Sequence, residues 1–273
     1  MARRDNEGAN HCGAQGLNAL LITPAAPAPV LRLWRRASAF SIDFPMTQTG
    51  ALPDLPTKPR PQTGREAFLE LRVVGVAVAR GGRRVFENVD FRLTSGEALV
   101  VTGRNGVGKS TLLRALAGLL PTVAGSMTLE GGAPDADLPR QSHYLAHADG
   151  MKAALSVAEN LSFWASYLGG GQDARNLCVK EALTAVGLTH ALHAPFGALS
   201  AGQKRRAALA RLLVAWRPLW LLDEPLTALD RGSREKFAGV MRAHCARGGL
   251  IVAATHEPLG LEGGVELALG TQA

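Results

Sequence analysis

The chain has 273 residues, 47% of them apolar, three cysteines and a formal charge of +7, which suits one core-forming domain with a tail and excludes a disulfide scaffold. The basic excess forms no long run and no aromatic-interleaved stripe, so a nucleic-acid partner is not expected. No stretch reaches the roughly 18 apolar residues that mark a spanning helix, and Cys12, Cys178 and Cys245 lack metal-ligand spacing, as in a reducing compartment.

Residues 1–66 read as a disordered extension. Eight of the fifteen prolines (Pro24, Pro27, Pro29, Pro45, Pro53, Pro56, Pro59 and Pro61) fall there and break every helical or alternating period. The apolar stretch 16–34 follows an acid-containing start and makes a poor signal peptide. Met46 offers a second start, so residues 1–45 have the character of an over-extended reading frame. The ordered domain is expected over residues 67–273.

Residues 69–78 alternate and predict a strand, turned back by Gly81-Gly82 into a second strand over 85–93. The run EALVVT at 97–102 is short, apolar and β-branched, as in a buried strand. A glycine-rich loop follows, then a helix over 109–117 that Gly118 stops. Ser156 and Glu159 form a capping-box pattern opening a helix with Val157, Leu161, Trp164 and Leu168 on one face. Further helices are expected over 175–186, 203–216 and 232–247, with buried strands at 219–222 and 250–255. Strands alternating with helices predict an α/β domain with a mostly parallel sheet, and the strand-poor block of about 150–202 reads as an inserted helical subdomain.

Residues 103–111 read GRNGVGKST and fit G-x-x-x-x-G-K-[ST] between a predicted strand and a predicted helix. Gly103, Gly106 and Gly108 let the backbone of Gly103, Arg104, Asn105, Gly106, Val107 and Gly108 curl, so that successive N–H groups face one anion. The helix that follows aims its positive end at the same point. Lys109 brings a mobile cation to the outer phosphates of a nucleotide, Ser110 a hydroxyl for Mg²⁺, and Thr111 completes the motif. The run LWLLDE at 219–224 places two acids at the end of a buried strand: Asp223 for Mg²⁺ through its water shell, Glu224 to orient and polarise an attacking water.

Leu199, Ser200, Ala201, Gly202 and Gln203 (LSAGQ) directly open a helix and lie just upstream of that acidic strand end. Alone, Ser200 would be a simple helix cap. In this order and spacing the run resembles the signature motif of ABC ATPases, Asp230 in LTALD resembles their D-loop, and His256 in VAATHEP their switch histidine. The resemblance covers residues 68–273. It implies a P-loop NTPase ABC cassette with a mostly parallel core sheet, an N-terminal antiparallel β subdomain and an inserted α-helical subdomain. It also implies ATP and Mg²⁺ as cofactors, and a head-to-tail dimer, most simply a homodimer, in which LSAGQ of one cassette covers ATP held by the other.

The stretch YLAHADGMKAALSVAENLSFW at 144–164, the LSAGQ run and ARGGRRVF at 79–86 are similar to the ATP-binding subunits of the cytochrome c maturation haem exporters. That similarity implies integral membrane subunits as partners, a peripheral place on the cytoplasmic face of the inner membrane, and an indirect link to haem and a haem chaperone whose loaded form is released. Haem ligation by this chain is not expected, since His11 and Cys12 lack C-x-x-C-H spacing. Transport of another small solute stays open as an alternative. A non-transport cassette is disfavoured by the single cassette and the lack of a coiled-coil insertion, and a module without turnover by Glu224.

Three departures stand out. His147 occupies the place of the glutamine that follows the strand after the phosphate loop in most ABC cassettes, as in the haem-exporter subfamily, and would contact the attacking or Mg²⁺-bound water. Ala201 replaces a glycine. The adenine-stacking tyrosine is absent, leaving Arg80 or Phe86 for that contact. Trp164 and its neighbours read either as core or as a groove for a membrane partner's coupling helix.

Overall fold

The computed structural model describes residues 68–169 and 173–270. The expected extension, Met46 and Cys12 lie outside the described residues.

The first two strands, β1 (Glu70–Arg80) and β2 (Arg83–Thr94), form a hairpin across Gly81-Gly82, both glycines at positive φ. With β4 (Ala124–Glu130) they make an antiparallel sheet of order β2-β1-β4. Its register slips around Gly75, at φ 58°, whose N–H donates to the Asp90 carboxylate at 2.8 Å.

The remaining strands pair in parallel in the order β5-β6-β7-β3-β8. They are β3 (Ala98–Thr102), β5 (Ser142–Leu145), β6 (Leu219–Asp223), β7 (Leu250–Ala254) and β8 (Val265–Ala268). The central strands are covered on both faces, which is why they read as unbroken apolar runs. Leu219, Leu221, Leu250, Val252, Leu99 and Val101 join α1 (Lys109–Leu116) and the antiparallel sheet in one core. Trp220, Leu222, Ile251 and Ala253 face the other core, shared with the helical block.

That block contains α2 (Val157–Tyr167), α3 (Val179–Ala185) and the start of α4 (Ala201–Ala210), joined by short 3₁₀ turns. The α2 capping box forms as expected: Ser156 Oγ accepts from Glu159 N, and the Glu159 carboxylate accepts from Ser156 N. The helix α5 (Arg231–Ala246) then leads into β7.

Two predicted helices are shorter than their apolar patterns. The helix expected over 203–216 ends at Ala210, where the bonding tightens to Leu212 N→Leu209 O and Leu213 N→Ala210 O. The chain opens there to receive another segment: Leu213 O accepts from Leu177 N at 2.9 Å, and Trp216 N donates to Asn176 Oδ1 at 2.5 Å. The same docking delays the helix expected from 175 until Val179, with Glu181 accepting the Cys178 N–H at 2.9 Å. The strands β4 and β8 were not predicted, and β5 was implied only by the resemblance that places a strand before His147.

Candidate active site

The loop 103–108 runs from β3 into α1 through three positive-φ glycines: Gly103 at 132°, Gly106 at 82° and Gly108 at 115°. Two of them are also spatially required. A Cβ at Gly103 would lie 2.6 Å from the Leu269 carbonyl oxygen, and one at Gly108 would lie 2.8 Å from Val85 and 3.0 Å from the Phe86 ring. The unpredicted strand β8 therefore backs the loop, and Leu269 N donates to Thr102 O at 3.0 Å.

Lys109 is 8% exposed and curls back into the loop, donating from Nζ to the Gly103 carbonyl at 2.7 Å. Its Nζ lies 2.9 Å from His256 Nε2, which lies 2.9 Å from Asn105 Oδ1. An ammonium has only donors, so the Lys109 contact needs a bare Nε2 lone pair and a neutral ring. The same nitrogen cannot then donate to Asn105 Oδ1, so the two contacts alternate. His256 Nε2 is also 4.0 Å from Glu224 Oε1.

Ser110, in the first turn of α1, donates from Oγ to Asp223 Oδ1 at 2.9 Å. Asp223 ends β6 and is 7% exposed. Glu224 follows at φ 45°, a left-handed conformation unusual outside glycine, and its N–H donates to Ala254 O at 2.8 Å. The start of α1 and the ends of β6 and β7 thus bring Lys109, Ser110, Asp223, Glu224 and His256 together. Thr111 lies in the first turn of α1 and Arg104 is exposed on the loop. His147 is exposed just beyond β5.

Ser200 caps α4: its Oγ accepts from Gln203 N at 3.3 Å, and Gln203 Oε1 accepts from Ser200 N at 2.9 Å. Leu199 is buried while Ser200 and Ala201 are exposed. A Cβ at Gly202 would sit 2.8 Å from the Ala228 carbonyl oxygen, so this glycine packs against the turn after Glu224. Asp230 caps α5, its Oδ1 accepting from Ser233 N at 2.7 Å, a bond that holds its carboxyl below the usual aspartate range. Arg80 is exposed at the end of β1, whereas Phe86 is half-buried above Gly108. Trp164 is half-buried, donates to Gly150 O at 3.0 Å and lies under the Arg211 guanidinium, while Tyr167 is the exposed ring of α2.

The sequence reading missed Arg205 and Arg211. Arg205 is 5% exposed and donates to the carbonyls of Ala146, Asp223, Glu224 and Pro225. Arg211 donates to Tyr144 O at 2.7 Å, and its burial lowers its pKa to about 10. Both arginines are bonded to main-chain carbonyls, and no sequence pattern marks such a partner.

A phosphate loop opening a helix, an acid-ended central strand facing it and an inserted helical block define an ATP-binding cassette. The family model for ABC transporter matches residues 86–227, and the chain belongs to that family, as an ATP-hydrolysing subunit. It is 57% identical over 187 residues to the cytochrome c biogenesis ATP-binding export protein CcmA of Bradyrhizobium diazoefficiens, spanning 68% of this chain and 92% of that one. To the protein of the same name from a Chelativorans strain it is 54% identical, spanning 74% of this chain and 98% of that one. Among solved structures, a putative ABC transporter ATP-binding protein from Pyrococcus furiosus superposes with a TM-score of 0.62 at 23% identity, covering 73% of this chain and 97% of that one. An ATP-bound bacterial Atm1-family exporter gives 0.61 at 21% identity, covering 73% of this chain and 36% of that one. These two likenesses concern the fold.

Proposed function

We propose that this chain is the ATP-binding and hydrolysing subunit of an ABC membrane complex for haem export in cytochrome c maturation, where it drives a conformational change or the release of a haem-loaded chaperone. The observation that carries the ATPase part is the convergence of Lys109, the Ser110–Asp223 pair and Glu224 at the mouth of the loop. The identity to CcmA proteins over nearly their whole length supports the cytochrome c part.

In this reading the backbone amides of residues 103–109 receive the phosphates of ATP, and the outer oxygens compete with the Gly103 carbonyl for the Lys109 ammonium. Ser110 and Asp223 present hard oxygen donors 2.9 Å apart, the chemistry Mg²⁺ selects. Held by Ser110 and Asp223, Mg²⁺ would supply positive charge against the negative charge of the phosphates. Glu224 orients the attacking water and accepts its proton. His256, beside Lys109 and Glu224, faces the outer phosphate, and His147 contacts the attacking or the Mg²⁺-bound water. Phe86, above Gly108, is the better placed of the two adenine candidates, with Arg80 at the strand end beside it.

Ser200, Ala201, Gly202 and Gln203 cover the nucleotide of a second cassette, most simply another copy of this chain, with Asp230 at the junction. Integral membrane subunits receive the motion, and the chain sits peripherally on the cytoplasmic face of the membrane. Among the described residues no helix is long and apolar enough to cross a membrane. The domain comprises residues 67–273, with residues 1–66 as an extension.

Glu224→Gln is expected to retain ATP, lose turnover and accumulate dimers, as read by phosphate release and light scattering. In cells lacking the native gene, the wild-type chain is expected to restore haem-stained c-type cytochromes and Glu224→Gln to fail. Normal c-type cytochromes in the deletion strain would redirect the assignment to another exported solute.

A further inference from the structure

We infer that Arg205 is a positioning residue that ties Glu224 and the loop carrying His147 to the helix that carries Ser200 and Gly202. The inference rests on the reading of Glu224 as the base proposed above.

The guanidinium of Arg205 gathers main-chain oxygens from two strand ends. It donates from Nη1 to Ala146 O at 2.9 Å, from Nη2 to Asp223 O at 2.9 Å and Glu224 O at 2.8 Å, and from Nε to Pro225 O at 3.2 Å. Three consecutive carbonyls, 223 to 225, can meet one planar group only where the chain turns, and Glu224 turns it by taking φ 45°. A non-glycine residue holds such a conformation only where its surroundings enforce it. The arginine fork is that enforcement, and a lysine, with a compact point charge, cannot reproduce it.

The fourth acceptor belongs to Ala146, the residue before His147, and Asp149 of the same loop lies 3.8 Å from Nη1. One side chain of α4 therefore holds both the candidate base and the loop of the histidine that occupies the usual glutamine position. Burial disfavours the charged guanidinium, and the nearby Asp149, Asp223 and Glu224 carboxylates oppose that effect.

Arg205 lies five residues after Ser200, roughly one and a half helical turns. A tilt of α4 when Ser200 engages the neighbouring cassette's nucleotide is thus passed to Glu224 in its own chain. The two nucleotide sites of a dimer become coupled through a rigid helix and a four-carbonyl clamp, which is a physical basis for cooperative hydrolysis.

The test uses full-length Arg205→Lys and Asp149→Asn. For Arg205→Lys, kcat is expected to fall roughly 10- to 100-fold, with the Kd for ATP within about twofold and the Hill coefficient for ATP moving toward one. In a Glu224→Gln background, Arg205→Lys is expected to change residual turnover no further. Asp149→Asn leaves the core intact and loosens the fork, and kcat is expected to fall about two- to fivefold with Kd unchanged; it carries the test if circular dichroism finds Arg205→Lys unfolded. Unchanged kcat in a folded Arg205→Lys, or a parallel loss of ATP affinity, overturns the positioning role while leaving Glu224 as base. Wild-type turnover by Glu224→Gln alone would instead remove the base assignment, and the route through Arg205 with it.

Discussion

At the scale of single residues, the site depends on positions where chemistry and backbone coincide. Gly108 is required twice, by its φ of 115° and by the Val85 and Phe86 side chains against it. Lys109 is the first residue of α1, so in the proposed site its amide and its ammonium would address the same anion. Lys109→Ala is expected to weaken ATP binding roughly 10- to 100-fold, the value of one charge-assisted contact, measured by fluorescent-nucleotide titration. An unaltered affinity would remove the loop from its assigned role. The motif residues were legible because phosphate chemistry restricts both residue type and spacing. Arg205 was not, because its partners are carbonyl oxygens, which every residue has.

At the scale of elements, the central strands β3, β6 and β7 were readable as apolar runs because both of their faces are covered. The strand β8, with Val265 and Glu266 exposed, sits at the sheet edge and carries too weak a pattern. The buried ends of β5 and α5 hold two histidines, His143 and His244, each lowered by burial to a pKa of about 3. His143 donates from Nε2 to Ala215 O, and His244 stacks on Trp220. Both are neutral when folded, whereas the unfolded chain takes up their protons below about pH 6.5. Stability from this source is therefore fully present above about 6.5 and is lost as pH falls toward 3, about 2 kcal/mol for each by pH 5. His143→Gln keeps a donor for Ala215 and is expected to reduce the loss of stability between pH 7 and 5 by about that amount, in urea melts at the two pH values. An unchanged pH dependence would show that His143 is not buried neutral.

At the scale of the whole molecule, the phosphate loop and the signature run serve different nucleotides in the proposed dimer. Ser200 is already committed within its own chain as the cap of α4, and its exposed hydroxyl faces outward at the helix start. Ser200→Arg is expected to leave nucleotide affinity of the single chain within about twofold while abolishing ATP-induced dimers and turnover, since a bulky cation would block the closed interface. Size exclusion with light scattering, in the Glu224→Gln background, reads this directly. Persistent dimers would exclude the signature run from the interface.

The sequence alone determined the nucleotide chemistry, the fold class and the positions of the central buried strands along the chain. Loop glycines, an acid-ended apolar strand and a capped signature helix are local signals whose spacing is set by the ligand. Only the tertiary structure decided where the helices at 175 and 210 yield to each other, that β8 supports the phosphate loop, and that Arg205 binds two strand ends to one helix. Those outcomes depend on main-chain groups meeting across long sequence separations, and a backbone carbonyl leaves no mark on the identity of the residue that bears it.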